Sequence, residues 1–360
     1  MSNFRLLKRT RQITEYSCGA SALQSVLAYW GKDVDERELM RLMGTTEEEG
    51  TYPEKIANAA RALGFEAEVR ENLTLDEVRR FTEDGSPMIA LAQVWRTAKS
   101  GKSVEDEWDA GHYISVLGVD DDKVYFQDPY VRMCKAVVPR DMFENHWHQI
   151  MGGAATTNRK LIHLGIFIRG KRAPATQSIV DEVQLASLDF GKFGSLNLIV
   201  AKFRGFVFPL DLLEDLKPLL NPDSVRPNAF IFLRKGEDGK LAAMEGSGLE
   251  DSTDAAEFNA IVTAVTSTLV EFKEKVATAE KMKEAAKAAA QGDFGLSSEA
   301  LEVTANQLQP GESALVVFFE NVWERRFREI AKKYDGEVTS QRLVTPKALA
   351  RAAKELVERA

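Results

Sequence analysis

The stretch RQITEYSCGASALQSVLAYWG, residues 11–31, sets Cys18 beside a glycine at the start of an amphipathic helical pattern. A thiol attacks only as its thiolate, and the unpaired N–H groups and dipole of a helix N-terminus favour that form. Cys18 thus meets the first condition for nucleophilic acyl transfer, although a lone cysteine also serves as a small buried hydrophobe. A nucleophile needs a base, and the chain has 4 histidines: His112, His146, His148 and His163. His112 opens the apolar run HYISVLGVD, and Asp128 closes the next run, KVYFQDP. In an antiparallel hairpin the start of one strand lies beside the end of its partner. Asp128 is therefore expected to orient the His112 imidazole and hold its tautomer. Acyl transfer also needs donors for the negative charge of its tetrahedral intermediate. The Cys18 backbone N–H is one, and the Gln12 side-chain amide is a second if the loop between them folds back.

The other histidines read differently. His146 and His148 flank Trp147 in FENHWHQ without an acidic partner at a telling distance, and read as surface or packing residues. His163 lies in an apolar run and reads as a satisfied core histidine. The His-x-His pair has the form of two metal ligands, but no third matches it, so no metal is expected. Cys18 chemistry of this kind needs no cofactor.

The elements that must position these residues follow from periodicity. CGASALQSVLAYWG puts Ala22, Leu23, Val26, Leu27 and Trp30 on one helical stripe ended by Gly31. DVDERELMRLMG, YPEKIANAARALGF and TLDEVRRFTEDG give three more helices, with Pro53 in a first turn, Gly64 as a stop and Thr74 as a cap. The period then changes. PMIALAQV, HYISVLGVD, KVYFQDP and LIHLGIFIRG are short β-branched or aromatic runs bounded by turn residues, with Asp120–Asp122 as a hairpin turn. Helices followed by antiparallel strands make an α+β domain over residues 1–170.

A mixed segment, 171–194, is expected to link this domain to a second one over 195–360. There SLNLIVAKFRG, PLDLLEDLKPLL, the NAFIFLRKGEDGKLAAMEG hairpin, ESALVVFFEN, WERRFREIAKKYDG and EVTSQRLV follow the order of a ferredoxin-like β-α-β-β-α-β unit. The hairpin supplies a spare strand and TPKALARAAKELVERA closes the chain. A helical insertion at 254–290 spaces Phe258, Val262, Val265, Leu269, Phe272, Val276 and Ala279 as an a/d seam. It fits either packing on its own domain or contact between subunits, hence an expected homo-oligomer. Arg325, Arg326, Arg328, Lys332 and Lys333 read as a solvated helix face. No phosphate loop or catalytic set is evident in 195–360.

Composition bounds the rest. The chain has 360 residues, 44% hydrophobic and 28% charged, enough to bury substantial cores. A net charge of -8 argues against a broad nucleic-acid footprint. No apolar run reaches membrane-spanning length, and the N-terminus lacks a signal-peptide core. Two cysteines, Cys18 and Cys134, make no disulfide framework, so the expected compartment is the cytoplasm.

Q-I-T-E-Y-S-C-G-A-S-A-L followed by G-H-Y-I-S-V-L-G-V-D-D-D-K-V-Y-F-Q-D-P resembles cysteine-peptidase family 39, the double-glycine peptidases that process bacteriocin leaders. GTYPEKIANAARALGFEAEV resembles the family's helix between these motifs, and the likeness covers about residues 5–170. It implies a papain-like fold. It also implies Gln12 as oxyanion donor, Cys18 as nucleophile, His112 as base and Asp128 as its orienting partner. The best-known members run on into a membrane exporter with an ATPase, for which nothing after residue 170 shows a pattern. The segment TAKSGKSVEDEWDAG, 97–111, lengthens the approach to His112 and fits a substrate rim, a lid or an inert insertion. LQPGESALVVFFENVWERRFREIAKKYDGEVTSQRLV looks similar to uncharacterised prokaryotic families with a ferredoxin-like core. The expected function is a papain-like cysteine hydrolase acting on a peptide or protein. Its rival is a scaffold that keeps a peptidase-like domain for binding alone.

Overall fold

Apolar residues spaced three and four apart fold the first part of the chain into three helices before any strand forms. The computed structural model describes residues 10–93, 110–130, 134–151, 158–171, 194–205, 224–246 and 305–336, with Leu7, Asp106, Trp108 and Leu216. Helix α1 (Cys18–Tyr29) buries Leu23, Val26 and Leu27 completely. Each such side chain contributes roughly 1.5–3 kcal/mol by leaving water. Gly31 stops it with a left-handed backbone, φ 84. Helix α2 (Glu36–Met43) starts at Asp35, whose carboxylate accepts the Arg37 N–H at 2.9 Å, and ends at left-handed Gly44. Helix α3 (Pro53–Ala62) opens on the expected proline. Helix α4 (Leu75–Thr82) has a full capping box, in which Thr74 and Glu77 each bond the other's backbone N–H.

Among the described residues, ten strands form one antiparallel sheet. β1 (Glu66–Arg70), β2 (Met88–Gln93), β3 (Gly111–Val119), β4 (Lys123–Asp128), β5 (Cys134–Pro139) and β8 (Gly165–Arg169) come from the first region. β9 (Leu196–Phe203), β10 (Val225–Lys235), β11 (Leu241–Gly246) and β12 (Ser313–Asn321) come from the second. Their order is β1-β8-β2-β3-β4-β5-β11-β10-β12-β9. Helix α5 (Arg140–His146) leads to a separate pair, β6 (His148–Met151) and β7 (Arg159–Ile162). Alternate residues of β3 enter two cores. Ile114 and Val116 pack with Phe126, Phe143 and Trp147, while Tyr113 and Leu117 pack under α1 with Leu23, Leu27 and Ile56. Among the described residues, no helix is long and apolar enough to cross a membrane.

One expectation changes on contact with the structure. The run LIHLGIFIRG is not one strand but the end of β7 and all of β8, broken at His163. That residue takes a left-handed backbone, φ 48, stacks on Trp147 at 4.9 Å, and sets Nδ1 3.0 Å from the Leu73 carbonyl oxygen. The satisfied histidine is real, but it sits in a bend. The same sheet also carries strands of both the first and the second region. β5 pairs with β11 through Val137 with Ala243 and Ala136 with Met244. One core joins Phe126 and Phe143 to Phe230, Phe232, Leu315 and Val317.

In the second region β12 lies between β9 and β10, and Asp238-Gly239 forms the β10–β11 turn. Helix α6 (Val322–Lys333) follows β12 directly. Of its basic residues, Arg326, Lys332 and Lys333 are exposed, but Arg325 and Arg328 are half-buried. The apolar residues Trp323, Phe327 and Ile330 face outward instead. The 254–290 helix with its seam, the strand at 337–344, the closing helix and nearly all of 171–194 lie outside the described residues.

Candidate active site

The helix that carries Cys18 can start where it does because residue 19 has no side chain. A Cβ there would lie 3.1 Å from Ile56 Cδ1, 3.1 Å from Tyr113 Cδ2 and 3.2 Å from Thr51 Cβ. Glycine lets the first turn of α1 press against β3 and the start of α3. Ser17 is the cap residue, its carbonyl accepting the N–H groups of Ala20 and Ser21. Cys18 is the first helical residue and half-buried, and N–H groups of a first turn have no acceptor within their own helix.

His112 is the second residue of β3, and Asp128 the last of β4. Ser115 pairs with Gln127, which brings Asp128 within diagonal reach of His112. His112 Nε2 stands 2.7 Å from Asp128 Oδ1, and the carboxylate is completely buried. The Tyr130 N–H donates to the same oxygen at 2.8 Å, and the Tyr130 ring meets the imidazole edge-on. Asp128 Oδ2 has no hydrogen-bond partner among the described residues.

Cys18 also acts on His112 and favours its charged form. Burial works against a charged imidazole here. The Asp128 charge and hydrogen bond, helped by Cys18, outweigh it and push His112 up to about 10. The balance favours the charged form of the ring beside this carboxylate.

Gln12 is buried beside the end of the same hairpin, its backbone N–H donating to the Pro129 carbonyl at 2.8 Å. Its side-chain Nε2 donates to the Thr14 carbonyl at 2.8 Å, which occupies one of the two amide protons and leaves a second. The structure thus pairs His112 with Asp128 and ties the Gln12 backbone to the residue after Asp128, with Cys18 acting on the same histidine.

Some supporting residues were not anticipated. Gln93, at the end of β2, accepts the Ala110 N–H at 3.1 Å and donates to Gln149 Oε1 at 2.7 Å and the His148 carbonyl at 2.8 Å. This fixes the chain just before His112, and Gly111 leaves no room for a Cβ against the Gln149 side chain. A lone polar residue closing the apolar run MIALAQ was the signal available for Gln93. Tyr113 donates its hydroxyl to the Thr51 carbonyl at 2.8 Å, and burial pushes its phenol up. Of the 97–111 segment expected as a rim or lid, only Asp106, Trp108, Ala110 and Gly111 are described. Trp108 is pinned: its carbonyl accepts the Ile150 N–H, and its ring lies between His148 and Lys160.

His146 and His148 are both buried, which removes the surface alternative for them. Burial, aided by Arg234 and His148, pushes His146 down to about 3, so it packs as a neutral ring. Among the described residues no three His, Cys, Asp or Glu side chains are grouped to hold a metal.

An α+β chain with this cysteine, histidine and aspartate converging is of the cysteine-peptidase-like class. Residues 4–155 match the Peptidase_C39 like family, and the chain belongs to it. An uncharacterized protein of Methanothermobacter marburgensis is 34% identical over 134 residues, 37% of this chain and 78% of its own length. The transport/processing ATP-binding protein ComA of Streptococcus pneumoniae is 27% identical over 137 residues, 38% of this chain, and the match spans only 17% of that relative. Among solved structures, the peptidase domain of Streptococcus ComA is similar at 21% identity and a TM-score of 0.35, covering 46% of this chain and all of that one. A putative C39-like peptidase from Bacillus anthracis is similar at 18% identity and a TM-score of 0.32, covering 39% of this chain and 88% of its own.

Proposed function

We propose that the chain is a cysteine peptidase or amide hydrolase acting on a peptide or protein, with Cys18, His112, Asp128 and Gln12 as its working groups. The observation that carries this is the buried His112–Asp128 pair, Nε2 to Oδ1 at 2.7 Å, beside Cys18 at the start of α1. In this reading the Cys18 thiolate forms a bond to the carbonyl carbon, and the C=O electron pair moves onto oxygen. The Cys18 N–H and the second amide proton of Gln12 stabilise that oxyanion. His112 gives its proton to the leaving nitrogen as the C–N bond breaks, leaving a thioester and an amine. The now neutral imidazole takes a proton from water. The hydroxide attacks the thioester, the acid is released and the thiolate returns. Asp128 keeps the ring oriented and favours its charged form throughout.

The second region we read as a ferredoxin-like unit over 195–360, behind a peptidase domain over 1–170. The order β9-β12-β10 suits the first three strands of such a unit, and 337–344 would supply the fourth. A cytoplasmic site of action fits a chain whose half-buried Cys18 works as a reduced thiol.

The test needs no substrate. Alkylation of Cys18 by iodoacetamide is followed against pH by peptide mass spectrometry, in wild type and His112→Ala, with Cys134 as internal control. Fast reaction at pH 6, slowed by at least about 10-fold in His112→Ala, is expected of a thiolate paired with an imidazolium. Equal, slow alkylation in both proteins would favour the scaffold.

A further inference from the structure

The loop that holds Gln12 is tied from beneath by a residue of another helix. Glu36, in the first turn of α2, is almost fully buried, and its Oε1 accepts the Ile13 N–H at 3.1 Å. The Ser17 side chain also favours the charged form of this carboxyl. Ser17 Oγ accepts the Thr14 N–H at 3.0 Å and donates to the Thr14 carbonyl at 3.2 Å. That carbonyl is the group that holds Gln12 Nε2 at 2.8 Å. The Glu36 carboxyl thus fixes the residue after Gln12, and Ser17, the residue before Cys18, holds Thr14 and with it the direction of the Gln12 amide. Burial pushes the Glu36 carboxyl up, against the bond from Ile13 and the influence of Ser17. A side chain that needs only to start a helix gains the same dipole interaction while exposed, so burial here calls for another reason.

We infer that Glu36 is a positioning residue for the oxyanion donor Gln12, an inference that rests on the role proposed for Gln12. Its effect is confined to reactions that pass through an oxyanion. Two reagents separate these. Acetyl transfer from p-nitrophenyl acetate forms an S–C bond through a tetrahedral oxyanion before p-nitrophenolate leaves with the electron pair. Iodoacetamide is displaced at a saturated carbon, and iodide leaves without any oxyanion.

Both rates are measured at Cys18 of the full chain by peptide mass spectrometry. Gln12→Ala should slow acetylation by about 10-fold or more and leave alkylation within twofold. Glu36→Ala should do the same, and the double variant should fall no further than Gln12→Ala alone. Glu36→Gln, which keeps the length and an acceptor for Ile13, should retain at least half the wild-type acetylation rate. Glu36→Asp falls short of the loop and should behave like Glu36→Ala, and it carries the test if the alanine variant does not fold. Wild-type acetylation in Glu36→Asp, or equal losses of acetylation and alkylation, overturns the positioning role while leaving the role of Gln12 intact. If Gln12→Ala itself acetylates normally, the oxyanion role fails first and takes this inference with it.

Discussion

Replacing Asp128 with asparagine keeps the shape of the His112 partner and removes its charge. In wild type, burial opposes the imidazolium, and the Asp128 charge and hydrogen bond do most of the work that pushes His112 up to about 10. With asparagine in place, a neutral hydrogen bond and the influence of Cys18 face the full cost of burial, which is the largest single influence on this ring. The titration should therefore drop by about 3.5 pH units or more, to below the ordinary histidine value of about 6.5. The chain has 4 histidines, so a nitrogen-detected NMR titration of histidine-labelled protein resolves them individually. His112 should stay charged past pH 8 in wild type and be neutral at pH 7 in Asp128→Asn. The stability linkage has a definite sign. A folded value raised above the unfolded one stabilises fully below about pH 6.5 and is lost as pH rises towards about 10. Wild-type melting temperature should thus fall across that window more steeply than that of Asp128→Asn. A wild-type His112 titrating near 6.5, or an unchanged titration in the variant, refutes the ion-pair account of the site.

Gly19→Ala should destabilise the protein by about 1–3 kcal/mol, the usual cost of an extra methyl in a tight core. It should also slow iodoacetamide at Cys18, since the first turn of α1 must retreat from Tyr113 and Ile56. Urea denaturation and the alkylation rate check both parts, and wild-type stability would mean the contact yields freely. His146, held down to about 3 by burial, should contribute stability above about pH 6.5 that is lost as pH falls towards about 3. His146→Asn should flatten that acid decline in urea midpoints, even if it starts lower at pH 7.

What could be read in advance was local. Gly31, Gly64 and Thr74 end or begin helices by backbone chemistry that lies within a few residues. The β3–β4 turn was legible for the same reason: Asp120 Oδ1 accepts the Asp122 and Lys123 N–H groups. With that hairpin in hand, the approach of Asp128 to His112 needed only strand geometry. The break at His163 depends on Trp147 and Leu73, and the run 161–170 contains no trace of either. β5 went unread because CKAVVP has partners on both sides, one of them β11, more than a hundred residues later. The buried Glu36 was hidden inside an ordinary charged helix start.

The pairing of β5 with β11 also bears on how the molecule can be cut. A strand with neighbours on both sides has no open edge, and β5 acquires its second neighbour only from the distal part of the chain. A fragment ending near residue 170 would bare the outer backbone groups of Lys135, Ala136 and Val137, together with the aromatic core shared with Phe230 and Phe232. Such a surface invites strand-to-strand aggregation. The stretch of sequence that matches the peptidase family, residues 4–155, is therefore shorter than the sheet it belongs to, whose strands β9 to β12 all lie beyond the match.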